Sequence, residues 1–348
     1  MKDIFDVTIV GGGPAGLFSA FYSGLREMKT KVIEYHDTLG GKLNVYPEKI
    51  IWDIGGLPPQ PAGKVIEHLV AQALFFKPTI VTGEKIVSID HEGQSFVLTS
   101  ESGTKHYSKT IIMAIGYGLL KPTKLQIDGA EKFELTNLLY TVQNPASLKG
   151  KRVLISGGGN SAVDWANLLE PIAAEVHLSY RKDQLKGHEA EVTKLLASQV
   201  SYHNNHDIQA LVASSTDSTQ IERVILKETK TGALKEVEVD VVVINHGFEY
   251  ESTIFDNNSV GLSTVEDYYI QTAASNMSEI PGIFAAGDVV KHDGKLHLIA
   301  GAFHDACNAV NQAKRYIEPE AYEYGRVSSH NDSFAEENKE LVKAFFVD

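Results

Sequence analysis

Two glycine-rich hexads carry most of the chemistry this chain can perform. Gly11-Gly12-Gly13-Pro14-Ala15-Gly16 follows the β-branched run Ile4–Val10 and precedes an apolar stretch over residues 17–25. Glu34 ends the next apolar run, 23 positions after Gly11. Strand, G-x-G-x-x-G, helix, strand and acid, in that order and spacing, form a dinucleotide site. Gly11 permits the tight turn, Gly13 lets the backbone approach a pyrophosphate, and Gly16, after Ala15, lets the helix pack close to the strand. The helix N-terminus attracts phosphate, and Glu34 can accept hydrogen bonds from both ribose hydroxyls of an adenosine.

The second hexad, Gly157-Gly158-Gly159-Asn160-Ser161-Ala162, follows the strand-like run Arg152–Ser156. Gly157, Gly159, Asn160 and Ser161 are its candidate phosphate contacts. The next run, Glu175–Tyr180, leads into Arg181-Lys182 where the first unit has its acid, and Arg181 lies 24 positions after Gly157. Replacing the acid by cations removes repulsion and adds attraction for a 2′-phosphate. His188, on the loop beyond, can help hold the same phosphate. The first site therefore reads as one for FAD or NAD, and the second as one for NADP.

Two further features could touch a cofactor. Gly287-Asp288, after an apolar run, puts a carboxylate beside a helix start, where it can bind a ribityl hydroxyl. Tyr46 lies in a loop opened by Gly40-Gly41 and can lay its ring against an aromatic ligand, although a tyrosine in a loop is more often plain core or surface.

The elements that must position these residues follow from periodicity. Helices are predicted over 17–25, 64–76, 160–169 and 304–317, and a short one over 337–346 in a polar tail, 318–348. Strands are predicted at Ile4–Val10, 31–35, Thr79–Val81, 84–90, Ser95–Ser100, 106–108, 109–116, Arg152–Ser156, Glu175–Tyr180 and 239–245. The fold class is α/β, with two doubly wound dinucleotide-binding domains and a C-terminal extension. The first domain is discontinuous, 1–116 with 249–317, the second is inserted over 117–248, and 318–348 is the extension.

With 348 residues, 43% of them hydrophobic and 22% charged, the chain suits a globular protein of about two domains. The net charge of −13 argues against nonspecific nucleic-acid binding. No apolar run reaches membrane-spanning length, and the first strand begins just after Met1-Lys2-Asp3, which leads us to expect a cytoplasmic protein. No metal site is expected. Cys307 is the sole cysteine, so no intrachain disulfide can form.

Together, the two hexads, the strand ending Ile115-Gly116 and the 282–288 motif Gly-Ile-Phe-Ala-Ala-Gly-Asp resemble the two-dinucleotide-domain flavoproteins, thioredoxin reductase above all. Those reductases carry a redox-active cysteine pair, which this chain lacks. Tyr46-Pro47-Glu48-Lys49, with Asp53 and Gly56 after it, and Ser328-Ser329-His330 in the tail resemble instead the thioredoxin-reductase-like, type 2 ferredoxin–NADP reductases. The resemblance implies that Tyr46 and His330 stack on the two faces of the flavin. It implies FAD contacts at Glu34, Lys42, Tyr46, Ile86, Leu120, Asp288 and Ser329. Lys42 stands where that family is expected to have Gln, and Leu120 where it is expected to have Phe. It further implies FAD and NADPH as cofactors, a homodimer, and ferredoxin or flavodoxin as partner. Hydride would pass from NADPH to flavin N5, and single electrons onward. This chemistry needs ring proximity rather than a side-chain acid or base, so no catalytic acid or base is assigned. The alternative is an NADPH-dependent reductase of ferric chelates or quinones. Acidic carriers would be repelled by the net charge, so a local patch at Lys121, Lys124, Lys149, Lys151 and Arg152 is a candidate docking surface.

Overall fold

The computed structural model describes residues 2–116, 118–142, 144–251, 253–266, 268–325 and 331–346, with the side chains of 119–121 and 249–251 left out. The chain divides into two compact units, Met1–Leu119 with Tyr250–Asp348, and Leu120–Glu249.

The larger unit is built on a seven-stranded sheet. Ile4–Val10 lies at its centre and pairs in parallel with Thr30–Ile33 on one side and Lys105–Met113 on the other. Thr79–Val81 extends the sheet in parallel beyond Thr30–Ile33. Ser95–Ser100 and Ile86–Glu92 add antiparallel strands at the other edge, and Ile283–Ala285 runs parallel to Lys105–Met113. Register decides where the chemistry lies. Val10 pairs with both Ile33 and Met113, and Met113 also pairs with Ala285. Gly11, Glu34, Ala114 and Ala286 therefore leave the sheet at one edge, the carboxyl ends of its parallel strands, where ligands of such sheets bind. Helix α1, Pro14–Leu25, and helix α2, Ala62–Ala73, pack on one face around Leu17, Val65 and Leu69.

The smaller unit has five parallel strands in the order Leu138–Leu139, Val241–Ile244, Arg152–Ser156, Glu175–Tyr180 and Ser201–Asn204. Ser156 pairs with Ser179 and with Ile244, so Gly157, Tyr180 and Asn245 again share one edge. Helix α3, Asn160–Leu169, and helix α4, Glu189–Leu196, bury Val163 and Leu195 in its core. A three-stranded antiparallel sheet, His206–Ala213, Ile221–Glu228 and Leu234–Glu238, was not foreseen from the sequence. Returning to the larger unit, a single turn, α5 (Thr253–Asp256), follows the crossing, and helices α6, Ile299–Ile317, and α7, Ala335–Phe346, come last.

Several element expectations are corrected. The helix predicted over 64–76 ends at Ala73 and closes in a 3₁₀ turn, Leu74–Phe76, with Lys77 left-handed behind it. The strands at 106–108 and 109–116 are one, Lys105–Met113, because Ser108 and Thr110 are fully buried and bond to neighbouring carbonyls. α6 begins five residues before the predicted start, where Gly301 allows its first turn to cross the Leu296 carbonyl.

One buried group on the strand paired with Glu175–Tyr180 makes stability depend on pH. His203 is 7% exposed, with Nε2 3.2 Å from His177 Nδ1 and Nδ1 3.3 Å from Lys235 Nζ. Burial first, then Lys235, His177 and His206, push its imidazole down to about 4. An unfolded histidine titrates near 6.5, so between those values the unfolded chain binds more protons. The contribution is complete above the unfolded value and is lost as pH falls through the window, about 3 kcal/mol in all. His203→Gln should flatten the acid limb of a plot of Tm against pH. Parallel limbs for variant and parent would remove His203 from the account.

Candidate dinucleotide sites

In the larger unit, Gly11 has φ +109°, and a Cβ there would lie 2.3 Å from the Ala114 carbonyl oxygen. A Cβ on Gly16 would lie 1.9 Å from the Gly11 carbonyl oxygen. Only glycine lets strand, turn and helix close this tightly. Gly13 is different: a Cβ there would meet only Gly41 Cα, at 3.7 Å. The backbone at Gly13 is thus open to a close ligand. No side chain caps α1, Pro14 opens it, and Ala15 is buried in its first turn. The helix end is therefore available to an anion.

Glu34 is 6% exposed and accepts from Gly12 N at 2.6 Å and His36 N at 2.9 Å. Its carboxylate is thereby fixed beside the turn it serves. Ile86 is buried in the core with Val10 and Ile33, two residues after Glu84, whose N–H donates to the Glu34 carbonyl. The loop bearing Lys42 and Tyr46 is tied to the same turn. Gly40 N donates to the Gly12 carbonyl at 2.8 Å, and Gly41 packs on Gly13. Lys42 is exposed on a short 3₁₀ turn, Gly41–Val45. Tyr46 is half-buried against the core that holds Leu17 and Val65. Burial and then the Asp288 carboxylate raise its phenol above the usual value. Tyr46 and Asp288 therefore lie near one another.

The helix start beside Gly287-Asp288 is that of α1, because a Cβ on Gly287 would lie 2.9 Å from Ala15 Cβ. Ser329 and His330 lie outside the described residues, as does the side chain of Leu120. The chain is anchored on either side of 326–330. Gly325 N donates to Tyr22 OH, and Phe334 packs among Phe21, Phe75 and Phe76 at ring distances of 5.2–6.3 Å. No sequence pattern pointed to these anchors.

In the smaller unit, Gly157 has φ +152°, and a Cβ there would lie 2.4 Å from the Asn245 carbonyl oxygen. Gly158 lies flat on the Tyr180 ring, while Gly159 has open space at its Cβ position and α3 has no side-chain cap. Ser161 is exposed beside it. Asn160 Oδ1 accepts from His188 N at 2.8 Å, so it holds the start of α4. His188 is the last residue of its loop, immediately before α4. Arg181 and Lys182 are exposed at the end of their strand. The acid that follows, Asp183, accepts from Asn205 Nδ2 at 2.7 Å and Lys230 Nζ at 2.6 Å, so its charge is engaged elsewhere. The loop also carries Lys186, whose N–H donates to the Gly158 carbonyl at 2.6 Å, a cation that spacing alone did not single out.

Part of the candidate basic patch is neutralised. Arg152 pairs with Asp240 and Glu238, and Lys124, although exposed, pairs with Glu134; Lys149 and Lys151 are exposed as well. Among the described residues no helix is long and apolar enough to cross a membrane, and no cluster suits a metal ion.

The donor sets fit their cofactors: an acid-ended cradle with Tyr46 for FAD, and a cation-ended one for NADPH. The sequence profile of the pyridine nucleotide-disulphide oxidoreductases matches residues 5–313. The ferredoxin–NADP reductase 1 of Bacillus cytotoxicus is 55% identical over 343 residues, 98% of each chain, and that of Bacillus licheniformis is 55% identical over 348 residues, 99% of each. Among solved structures, thioredoxin reductase of Lactococcus lactis aligns over 90% of this chain and 99% of its own, at TM-score 0.76 and 25% identity. Thioredoxin reductase of T. acidophilum aligns over 92% and 100%, at TM-score 0.77 and 24% identity. With a match of this depth over almost its whole length, the chain belongs to the pyridine nucleotide-disulphide oxidoreductase family, in its ferredoxin–NADP reductase branch.

Proposed function

We propose that this chain is an FAD-dependent reductase that takes hydride from NADPH and passes single electrons to ferredoxin or flavodoxin. The observation that carries the reading is one acid-ended and one cation-ended fingerprint in a chain whose sole cysteine is Cys307. Burial pushes that thiol up to about 11, which suits a structural residue rather than a nucleophile. In this reading 1–116 and 249–317 hold FAD, 117–248 hold NADPH, and 318–348 extend over the flavin.

Bound FAD supplies a ring that accepts hydride and releases electrons singly. The chain's part is positional. Glu34 would hold the adenosine ribose, the first turn of α1 the pyrophosphate, and Asp288 the ribityl chain. Tyr46 and His330 are the residues that would stack on the flavin ring. Gly159 and the start of α3 take the nicotinamide nucleotide's pyrophosphate, with Arg181, Lys182 and His188 on its 2′-phosphate. A single free cysteine suits the reducing cytoplasm, where this reading places the chain.

Stopped-flow mixing with NADPH should bleach the flavin band, and added ferredoxin or flavodoxin should restore it. If a ferric chelate restores it faster than either carrier, the chain reduces chelates. Rising salt should slow reoxidation by the carrier through the surviving Lys149 and Lys151.

We also propose a homodimer. α7 exposes Leu341, Val342, Phe345 and Phe346 by 51–83%, at helical spacing on one face. An apolar stripe of that kind suits burial against a second copy. Phe345→Ser with Phe346→Ser should shift the sedimentation mass toward the monomer. An unchanged mass would place the dimer interface elsewhere or nowhere.

A further inference from the structure

Beneath the Gly287-Asp288 turn lies an ion pair that the assigned chemistry does not use. Lys295 Nζ is 2.5 Å from Asp305 Oδ2, and the two side chains are 5% and 4% exposed. The same Oδ2 accepts from Gly287 N at 3.0 Å, and the ammonium also donates to the Leu296 carbonyl. One buried oxygen on α6 thus holds both the turn and the loop that returns from it. Gly301 makes the approach possible, since a Cβ there would lie 2.2 Å from the Leu296 carbonyl oxygen.

Stability alone does not account for this arrangement, because buried ion pairs can be replaced by apolar residues with no net loss. Their distinctive property is geometric: removing one partner leaves an uncompensated charge, so the other stays where its counterion is. Here the geometry is that of the site. Gly287 stands against Ala15 in the first turn of α1, and Asp288 stands near Tyr46, with His297 Nδ1 3.6 Å from Asp288 Oδ1.

We propose that Lys295 and Asp305 are positioning residues that hold the Gly287-Asp288 turn against α1 and so fix the Asp288 carboxylate at the flavin. The inference rests on the reading that Asp288 faces FAD. Lys295 and Asp305 do not themselves touch the cofactor in this account. They act through one backbone N–H.

The test uses full-length Lys295→Met, Asp305→Asn and the double variant, with FAD dissociation read by fluorescence, the flavin absorption band and midpoint potential as spectroscopic readouts, and Tm of the apoprotein alongside. Lys295→Met leaves a buried carboxylate without its cation, and the FAD Kd should rise about tenfold with a shifted flavin band. In the double variant the amide oxygen brought in by Asp305→Asn can still accept from Gly287 N and no charge is stranded, so the Kd should return to within about threefold of the parent. If Lys295→Met fails to fold, Asp305→Asn against the double variant makes the same comparison. A lowered Tm with unchanged FAD Kd, band and potential would reduce the pair to a stability element and overturn the proposal. A double variant that releases FAD as readily as the single would overturn it too. A parent protein that binds no FAD would instead overturn the cofactor assignment.

Discussion

Gly13→Ala should give a folded protein that has lost most of its flavin, and Gly16→Ala one that has lost flavin and stability together. The two glycines lie three positions apart in one motif but meet different neighbours. A methyl at position 13 would touch only Gly41 Cα at 3.7 Å, ordinary contact for the protein. It would, however, stand over the backbone that a pyrophosphate has to approach. A methyl at position 16 would lie 1.9 Å from the Gly11 carbonyl oxygen and 3.4 Å from Ile9 Cγ2, so α1 must move off the central strand. Overpacking of this kind costs about 1–3 kcal/mol, and the displaced helix carries its N-terminus away from the phosphates. The ratio of flavin to protein absorbance in the purified variants should fall at least about tenfold for each, given the energy of the lost charge-assisted bonds. The apoprotein Tm should fall for Gly16→Ala alone. Gly55→Ala, at a site with nothing within 4 Å, is the control for both measurements. Full flavin content in Gly13→Ala would show that the pyrophosphate does not pass over that residue.

What could be read from the chain without coordinates was whatever sits within one strand-turn-helix-strand unit. Gly11 to Glu34 and Gly157 to Arg181 are each bound by local geometry, so residue type and spacing sufficed to place them. Contacts between distant segments left no such trace. Asn160 gives its side-chain oxygen to His188 N, and Phe334 enters the aromatic group of Phe21, Phe75 and Phe76 across more than two hundred positions. Lys295 and Asp305 carried no signal in the sequence because a loop of irregular backbone, with no periodicity, brings them together. The basic patch shows the converse: Arg152 is near other cations in sequence, but in space it meets Asp240 and Glu238. The antiparallel sheet from His206 to Glu238 escaped because its strands alternate imperfectly, with register shifts near Ile208 and Val212.

Replacing both Arg181 and Lys182 by alanine should raise the KM for NADPH about 10²–10⁴-fold, at roughly 1.5–3 kcal/mol for each lost bond to the phosphate. The kcat/KM for NADH should change little, because that nucleotide has no 2′-phosphate to lose. Neither side chain supports the fold: both are exposed at the end of the strand Glu175–Tyr180, and the turn below is held by Gly157 N on the Ser179 carbonyl. The neighbouring Asp183 will not take over as a ribose acceptor, since Lys230 and Asn205 already engage its carboxylate. A residual preference for NADPH of several-fold should survive through Lys186, whose backbone stays bonded to Gly158. The salt dependence of NADPH binding should weaken in the variant, because fewer cations face the dianion. If NADPH and NADH lost efficiency by the same factor, the two side chains would serve the pyrophosphate or the fold, and the choice between nucleotides would have to come from elsewhere in residues 120–249.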